Sequence, residues 1–210
     1  MRNLCFLAVA TILTTGCHDT RFQNPLVSPT HANRHPEFYG VYEVPTPDAI
    51  WYAHVGSAGR HFPEGFIRIV AVGHPKNESN RLNSATFYGF FADCGSGCIL
   101  NIPIPKEMDS DSMTDDAVEW DPDRVEGYRL LRIEKTGDGL VVRCLDDDYI
   151  AEQINTGKLA GTATKYFENK PQSPWNIKVA AETEELIRLF NQFPSDKLFQ
   201  SQSVLYKAVE

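Results

Sequence analysis

Tyr128-Arg129-Leu130-Leu131-Arg132-Ile133-Glu134-Lys135, the link Thr136-Gly137-Asp138-Gly139 and the run Leu140-Val141-Val142-Arg143-Cys144-Leu145 decide the fold class. Both runs are short and apolar enough to form strands, and the link carries two glycines able to supply positive φ, the chemistry of a β-hairpin turn. Strands joined so tightly lie antiparallel.

The same signature recurs on either side. Ala85 to Ala92 and Ile99 to Ile104 flank Asp93-Cys94-Gly95-Ser96-Gly97-Cys98, a second hairpin link. Tyr39 to Val44 and Phe66 to Val72 are aromatic or β-branched and bounded by glycine and proline, as strands are. Downstream, Asp146-Asp147-Asp148 precede Tyr149 to Ile154 and Gly157, so acids stand at a helix start and glycine near its end. Ala181 to Phe193 carries Leu186, Ile187, Leu189, Phe190 and Phe193 at helical spacing, giving one apolar face. Trp175 to Val179 and Ser203 to Val209 read as closing strands. The expected class is mainly β (α+β): an antiparallel meander, or a small barrel or half-barrel of roughly eight strands, with two short helices.

The N-terminus carries a separate message. Met1-Arg2-Asn3, the apolar run Leu4 to Leu13 and then Thr14-Thr15-Gly16-Cys17 have the layout of a secretory signal, too short to span a bilayer as a helix. Thr14-Thr15-Gly16-Cys17 resembles the lipobox of bacterial lipoproteins, departing from it at Thr14, where that family usually has leucine or a similar residue. The resemblance implies cleavage before Cys17 and a lipid on its sulfur, anchoring the protein to a membrane. It predicts three segments: a lipoprotein signal peptide at 1–16, a lipid-anchored flexible tether at 17–37 that is polar and broken by Pro25, Pro29 and Pro36, and one β-rich domain at 38–210. The expected place is the cell membrane or outer membrane, facing periplasm or exterior. His18 is not the aspartate that retains some lipoproteins at the inner membrane, which favours outward sorting.

Gly127 to Gly161 followed by Ala181 to Phe199 is similar in pattern to uncharacterised lipocalin-like bacterial lipoproteins. That likeness implies fold class and no activity.

The chain has a net charge of −8, and loss of Met1 to Gly16 removes one arginine and no acid. An acidic protein of this kind is repelled by nucleic acid and by anionic lipid surfaces, so neither is an expected partner.

The residues give no grouping on which to place a catalytic role. Cys94 and Cys98, a C-x3-C pair with flexible residues between, are candidates for a disulfide stapling the hairpin. They lack the C-x2-C at a helix start that redox thiols use. Cys144 reads as a buried small hydrophobe. His31 and His35 are spaced for a metal on a helix, but the flanking prolines argue against one, and no metal or cofactor is expected. Asp109 to Asp123 offers oxygens without the order of a calcium loop, and reads as solvated loop. Asp146, Asp147 and Asp148 are explained by helix capping. His54, His61 and His74 are scattered, and Gly56-Ser57-Ala58-Gly59 is not a nucleophile elbow. A hydrolase would need several of His54, His61 and Asp146 to converge.

Trp51, Tyr52, Phe87, Tyr88, Phe90, Phe91, Trp120 and Trp175 fall in or near strands and belong mostly to the core, with some left to line a pocket. The functional expectation is a non-enzymatic binding or interaction module, holding a small apolar or amphipathic ligand in the barrel mouth. The alternative is an accessory envelope lipoprotein that docks a protein partner through a strand edge or the acidic loop.

Overall fold

A computed structural model describes residues 19–45, 49–75, 83–94, 97–106, 120–137, 139–167, 173–193 and 195–208. The expected signal segment, Cys17 and most of the acidic stretch from Asp109 lie outside these residues, as does Asp138.

The deciding hairpin forms as its sequence demands. Strands β7 (Val125–Thr136) and β8 (Gly139–Leu145) pair antiparallel with Thr136 opposite Gly139, so the loop is two residues long. Gly137 supplies positive φ (50°). Gly139 serves differently: a Cβ there would stand 2.5 Å from the Leu205 carbonyl oxygen, so only glycine admits the neighbouring strand.

Six more strands close the barrel: β2 (Gly40–Pro45), β3 (Ala49–Ser57), β4 (Phe66–Pro75), β5 (Asn83–Cys94), β6 (Gly97–Pro105) and β11 (Phe199–Lys207). Their order is β6-β5-β4-β3-β2-β11-β8-β7, and β6 pairs with β7, so eight antiparallel strands form a closed ring. Closure removes the ring's open edges, the usual liability of a sheet. The last strand is inserted between β8 and β2, which ties the C-terminus into the wall.

Three further strands extend from the wall. β1 (Asp19–Phe22) meets β7 at Phe22 opposite Tyr128 and runs parallel to β10 (Trp175–Val179), which pairs in turn with β9 (Gly161–Lys165). Between β8 and β11 lie helices α1 (Asp147–Asn155), α2 (Thr183–Gln192) and the four-residue α3 (Ser195–Leu198). Asp146 caps α1, its carboxylate accepting the Tyr149 N–H at 2.8 Å, and Gly157 follows the helix with φ of 72°. No helix among the described residues is long and apolar enough to cross a membrane.

The wall explains why its strands read as apolar runs without clean alternation. Phe91, Leu100 and Leu131 point into the ring, whereas their neighbours Phe90, Ile99 and Leu130 point outward into a second core. That outer core is completed by Phe22, Leu26, Ile150, Ile177, Leu186 and Phe190 from the added strands and helices. A strand buried on both faces has no polar side to alternate with.

The expected tether therefore needs correction. From Asp19 onward it is packed chain: Phe22 is 0% and Leu26 1% exposed, and the Leu26 N–H donates to the Asn101 side-chain oxygen at 2.8 Å. Short 3-10 turns at Pro29–His31 and Pro36–Phe38 carry the segment across the barrel end. β3 and β9 also go beyond the strands marked by sequence, and α3 beyond the two expected helices.

Candidate functional site

Two places in the barrel combine geometry with chemistry. The first is its interior. Alternation in β2 and β3 turns Val44, Trp51 and Ala53 inward, and Ala71 of β4 joins them. Between this cluster and the inward residues Phe38, Ile67, Phe91, Leu100, Leu131 and Val142 lies a cavity of about 760 Å³, counting the space at its opening. Its lining is aliphatic and aromatic throughout, with Tyr52 the one lining residue that carries a hydroxyl. Gly73 stands opposite Trp51 in the ladder, and the indole lies in the space a Cβ would take. The Trp51 Nε1 atom is buried and has no hydrogen-bond partner among the described residues. A buried donor left unmatched costs about 1–3 kcal/mol, so it marks a place where an acceptor fits.

The second place is the barrel end under Pro36–Phe38. His35 stacks on Phe38 at 5.6 Å between ring centroids and meets the edge of Phe91 at 5.1 Å. Its Nδ1 lies 2.8 Å from Glu37 Oε1. That bond, first among the causes, holds the Glu37 carboxyl below the usual range, so Glu37 accepts and His35 donates. Nε2 then faces Asp93 Oδ1 at 3.2 Å, yet it is buried and makes no aligned hydrogen bond. Asp93 is fixed from behind by Asn33, whose Nδ2 donates to Oδ2 at 2.9 Å. Cys98 stands directly across the β5–β6 ladder from Asp93. Burial, and after it the negative charges of Asp93, Glu37 and Cys94, push its thiol up to about 12.

This register bears on the expected Cys94–Cys98 staple, which is not formed here: both residues are thiols. Cys94 pairs with Gly97, and Cys98 with Asp93. Side chains one position out of step project to opposite faces of a sheet, so Cys94 packs on the outer core and Cys98 on the inner one. Cys144 is buried as expected and is held in a disulfide.

The remaining candidates separate. His31 is exposed, and no helix joins it to His35. Asp146 caps α1, Asp147 accepts from Thr20 Oγ1 at 2.6 Å, and Asp148 accepts from Trp175 Nε1, so the three carboxylates diverge. His54 is exposed on β3, and β2 and β11 stand between that strand and β8, which leads to Asp146. His61 is exposed in the loop after β3. The convergence a hydrolase needed is not produced by these three. Sequence reasoning found His35 but missed Asp93 and Cys98 as its neighbours, because the segment that carries His35 reaches β5 only in the folded chain, where Asn33 bridges Phe91, and the β5–β6 register sets Cys98 beside Asp93.

Comparison of the chain with family models, with curated proteins and with solved structures gives no match.

Proposed function

We propose that the barrel is a binding module for a small, largely apolar molecule carrying one hydrogen-bond acceptor, on a domain held to a bacterial envelope membrane by lipid on Cys17. The observation that carries the ligand reading is the apolar cavity with the unmatched Trp51 N–H in its lining. Small-molecule sites are lined mostly by apolar side chains, with few polar groups that fix orientation, and this lining has that character. The anchor reading rests on the lipobox-like Thr14-Thr15-Gly16-Cys17.

The test is saturable uptake of fatty acids and fatty alcohols by the Cys17→Ser chain, followed by displacement of a fluorescent probe and by native mass spectrometry. One molecule per chain is expected, with affinity cut at least about tenfold when Ala71→Trp fills the cavity. Absence of saturable uptake across the series, or uptake indifferent to Ala71→Trp, overturns the reading.

A second reading, docking of a protein partner, is favoured by one feature. β9 ends the sheet order, and beyond it Tyr166 and Phe167 are 48% and 60% exposed. Crosslinking from residue 167 in intact cells that captures no recurrent envelope protein counts against it.

A further inference from the structure

A nitrogen from the segment before β2 meets an oxygen and a sulfur of the β5–β6 hairpin at the end of the barrel. The ligating atoms of His35, Asp93 and Cys98 all lie within 4.8 Å of one another. We propose that His35 Nε2, Asp93 Oδ1 and Cys98 Sγ bind a divalent transition-metal ion of the zinc class.

The placement of the three atoms is the first argument. His35 Nε2 is buried and lies 3.2 Å from Asp93 Oδ1 without the alignment of a hydrogen bond among the described residues. Cys98 Sγ lies within 4.8 Å of both. A buried nitrogen and a carboxylate oxygen held this close and out of line are accommodated by an ion that each can ligate.

The second argument is the support behind each ligand. Metal-bound histidines almost always donate their other nitrogen to a carboxylate or carbonyl, which fixes tautomer and ring orientation. Glu37 does this for His35. Asn33 holds the far oxygen of Asp93, leaving Oδ1 for the ion. The Asp93–Cys98 pairing across the ladder fixes the third corner.

Ligand type selects the ion. Calcium and magnesium take oxygen donors, whereas a mixed set of imidazole, carboxylate and thiolate suits zinc and its neighbours. Tetrahedral zinc holds such ligands about 3.2–3.8 Å apart, so the nitrogen–oxygen pair is already placed and the sulfur, within 4.8 Å of both, needs at most small movement. On binding, the Cys98 S–H proton leaves to solvent and the sulfur–metal bond forms in its place. The thiolate and the Asp93 carboxylate then balance two positive charges. Three protein ligands leave a fourth position for water or an incoming donor. Phe38 and Phe91, which pack on His35, also line the apolar cavity, so the ion would stand at that cavity's end. The site does not depend on the cavity being filled.

Cobalt(II) added to the metal-stripped full chain in detergent tests the assignment by absorption spectroscopy. Expected is one equivalent bound with a thiolate-to-cobalt charge-transfer band, displaced by zinc. Cys98→Ser should lose the band and Cys94→Ser, on the opposite face, should keep it. Glu37→Gln should keep the band with affinity about 10–100-fold weaker. Near-ultraviolet circular dichroism of each metal-free variant reports folding. Should Cys98→Ser fail to fold, Asp93→Asn, of the same shape, should lower affinity at least about tenfold. No band in the parent chain, a band surviving Cys98→Ser, or unchanged affinity in Asp93→Asn overturns the proposal.

Discussion

Trp51 and Gly73 face each other across the β3–β4 ladder, and the indole fills the space where any other residue at 73 would place its Cβ. Trp51 is 3% exposed and lines the cavity, so the glycine sets how far the ring leans over it. Gly73→Val forces the ring out of that position. Overpacking of this kind costs about 1–3 kcal/mol. The expected outcome is a lower urea midpoint together with weaker fatty-probe binding and a changed tryptophan emission. A variant that keeps both midpoint and affinity would show that the close contact has no role in shaping the cavity.

Asn101 is 0% exposed and joins three parts of the chain: it accepts from the Leu26 N–H and donates to the carbonyls of Phe90, at 3.2 Å, and Ile99, at 3.4 Å. Asn101→Leu leaves the Leu26 N–H buried without an acceptor, at about 1–3 kcal/mol. Amide exchange at Phe22 and Leu26 should then accelerate more than exchange in β7 and β8. Rapid exchange at Leu26 in the unaltered chain would instead return residues 19–27 to a tether.

Tyr42 is 3% exposed and donates its hydroxyl to the Phe38 carbonyl at 3.0 Å. Burial raises its pKa and that of Tyr128 above the ordinary value near 10. The sign follows from linkage. The unfolded chain loses these protons first, so the stability they contribute is complete below about pH 10 and is lost as pH climbs through the raised folded values. Absorbance titration of the tyrosinate band should show a late phase coinciding with loss of near-ultraviolet dichroism. Tyr42→Phe should shrink the late phase and cost about 1 kcal/mol. A single early titration of all tyrosines contradicts the assignment.

The Cys94–Cys98 geometry sets a further expectation. Because the two side chains leave the β5–β6 hairpin on opposite faces, mild oxidation of the folded chain should yield no peptide crosslinked between them. The same treatment in denaturant should yield it. Recovery of that crosslink from the native chain would mean the hairpin register shifts by one residue.

What was legible in the sequence follows from how far apart the cooperating residues lie. Gly137 announces the β7–β8 turn because hairpin chemistry is local. Asp146 announces α1 for the same reason. Phe22 and Leu26 announced nothing: each is a lone apolar residue in polar surroundings, and their partners Tyr128 and Asn101 come from the barrel wall. β3 was muted by Ala53, whose small inward side chain carries little β signal and leaves the cavity its room. His35 was visible only as half of a false pair with His31. Its neighbours Asp93 and Cys98 are set side by side by the β5–β6 hairpin register, and they meet His35 only because its segment packs on β5 in the fold. The C-x3-C spacing misled for the same reason, since it counts residues and the register counts faces.

The proposed anchor has a chemical consequence for the cysteines. On that reading cleavage before Cys17 would remove Cys5 and acylation would consume the Cys17 sulfur, leaving Cys94, Cys98 and Cys144. Cys94 and Cys98 are thiols, so a processed, acylated chain should carry Cys144 as a thiol rather than in a disulfide. The two chemical fates are separable by mass. Protein extracted from bacterial membranes should begin at Cys17, carry the added mass of acyl chains and react with three equivalents of alkylating agent under denaturation, one for each of those cysteines. Stable attachment takes more than one chain, because a single acyl group gives only marginal membrane binding. The Cys17→Ser chain should lose both the acyl mass and the membrane fraction. A native chain that retains its leader, lacks acyl mass and keeps Cys144 in a disulfide would end the lipoprotein reading, while leaving the barrel, its cavity and the His35–Asp93–Cys98 site to be tested on their own.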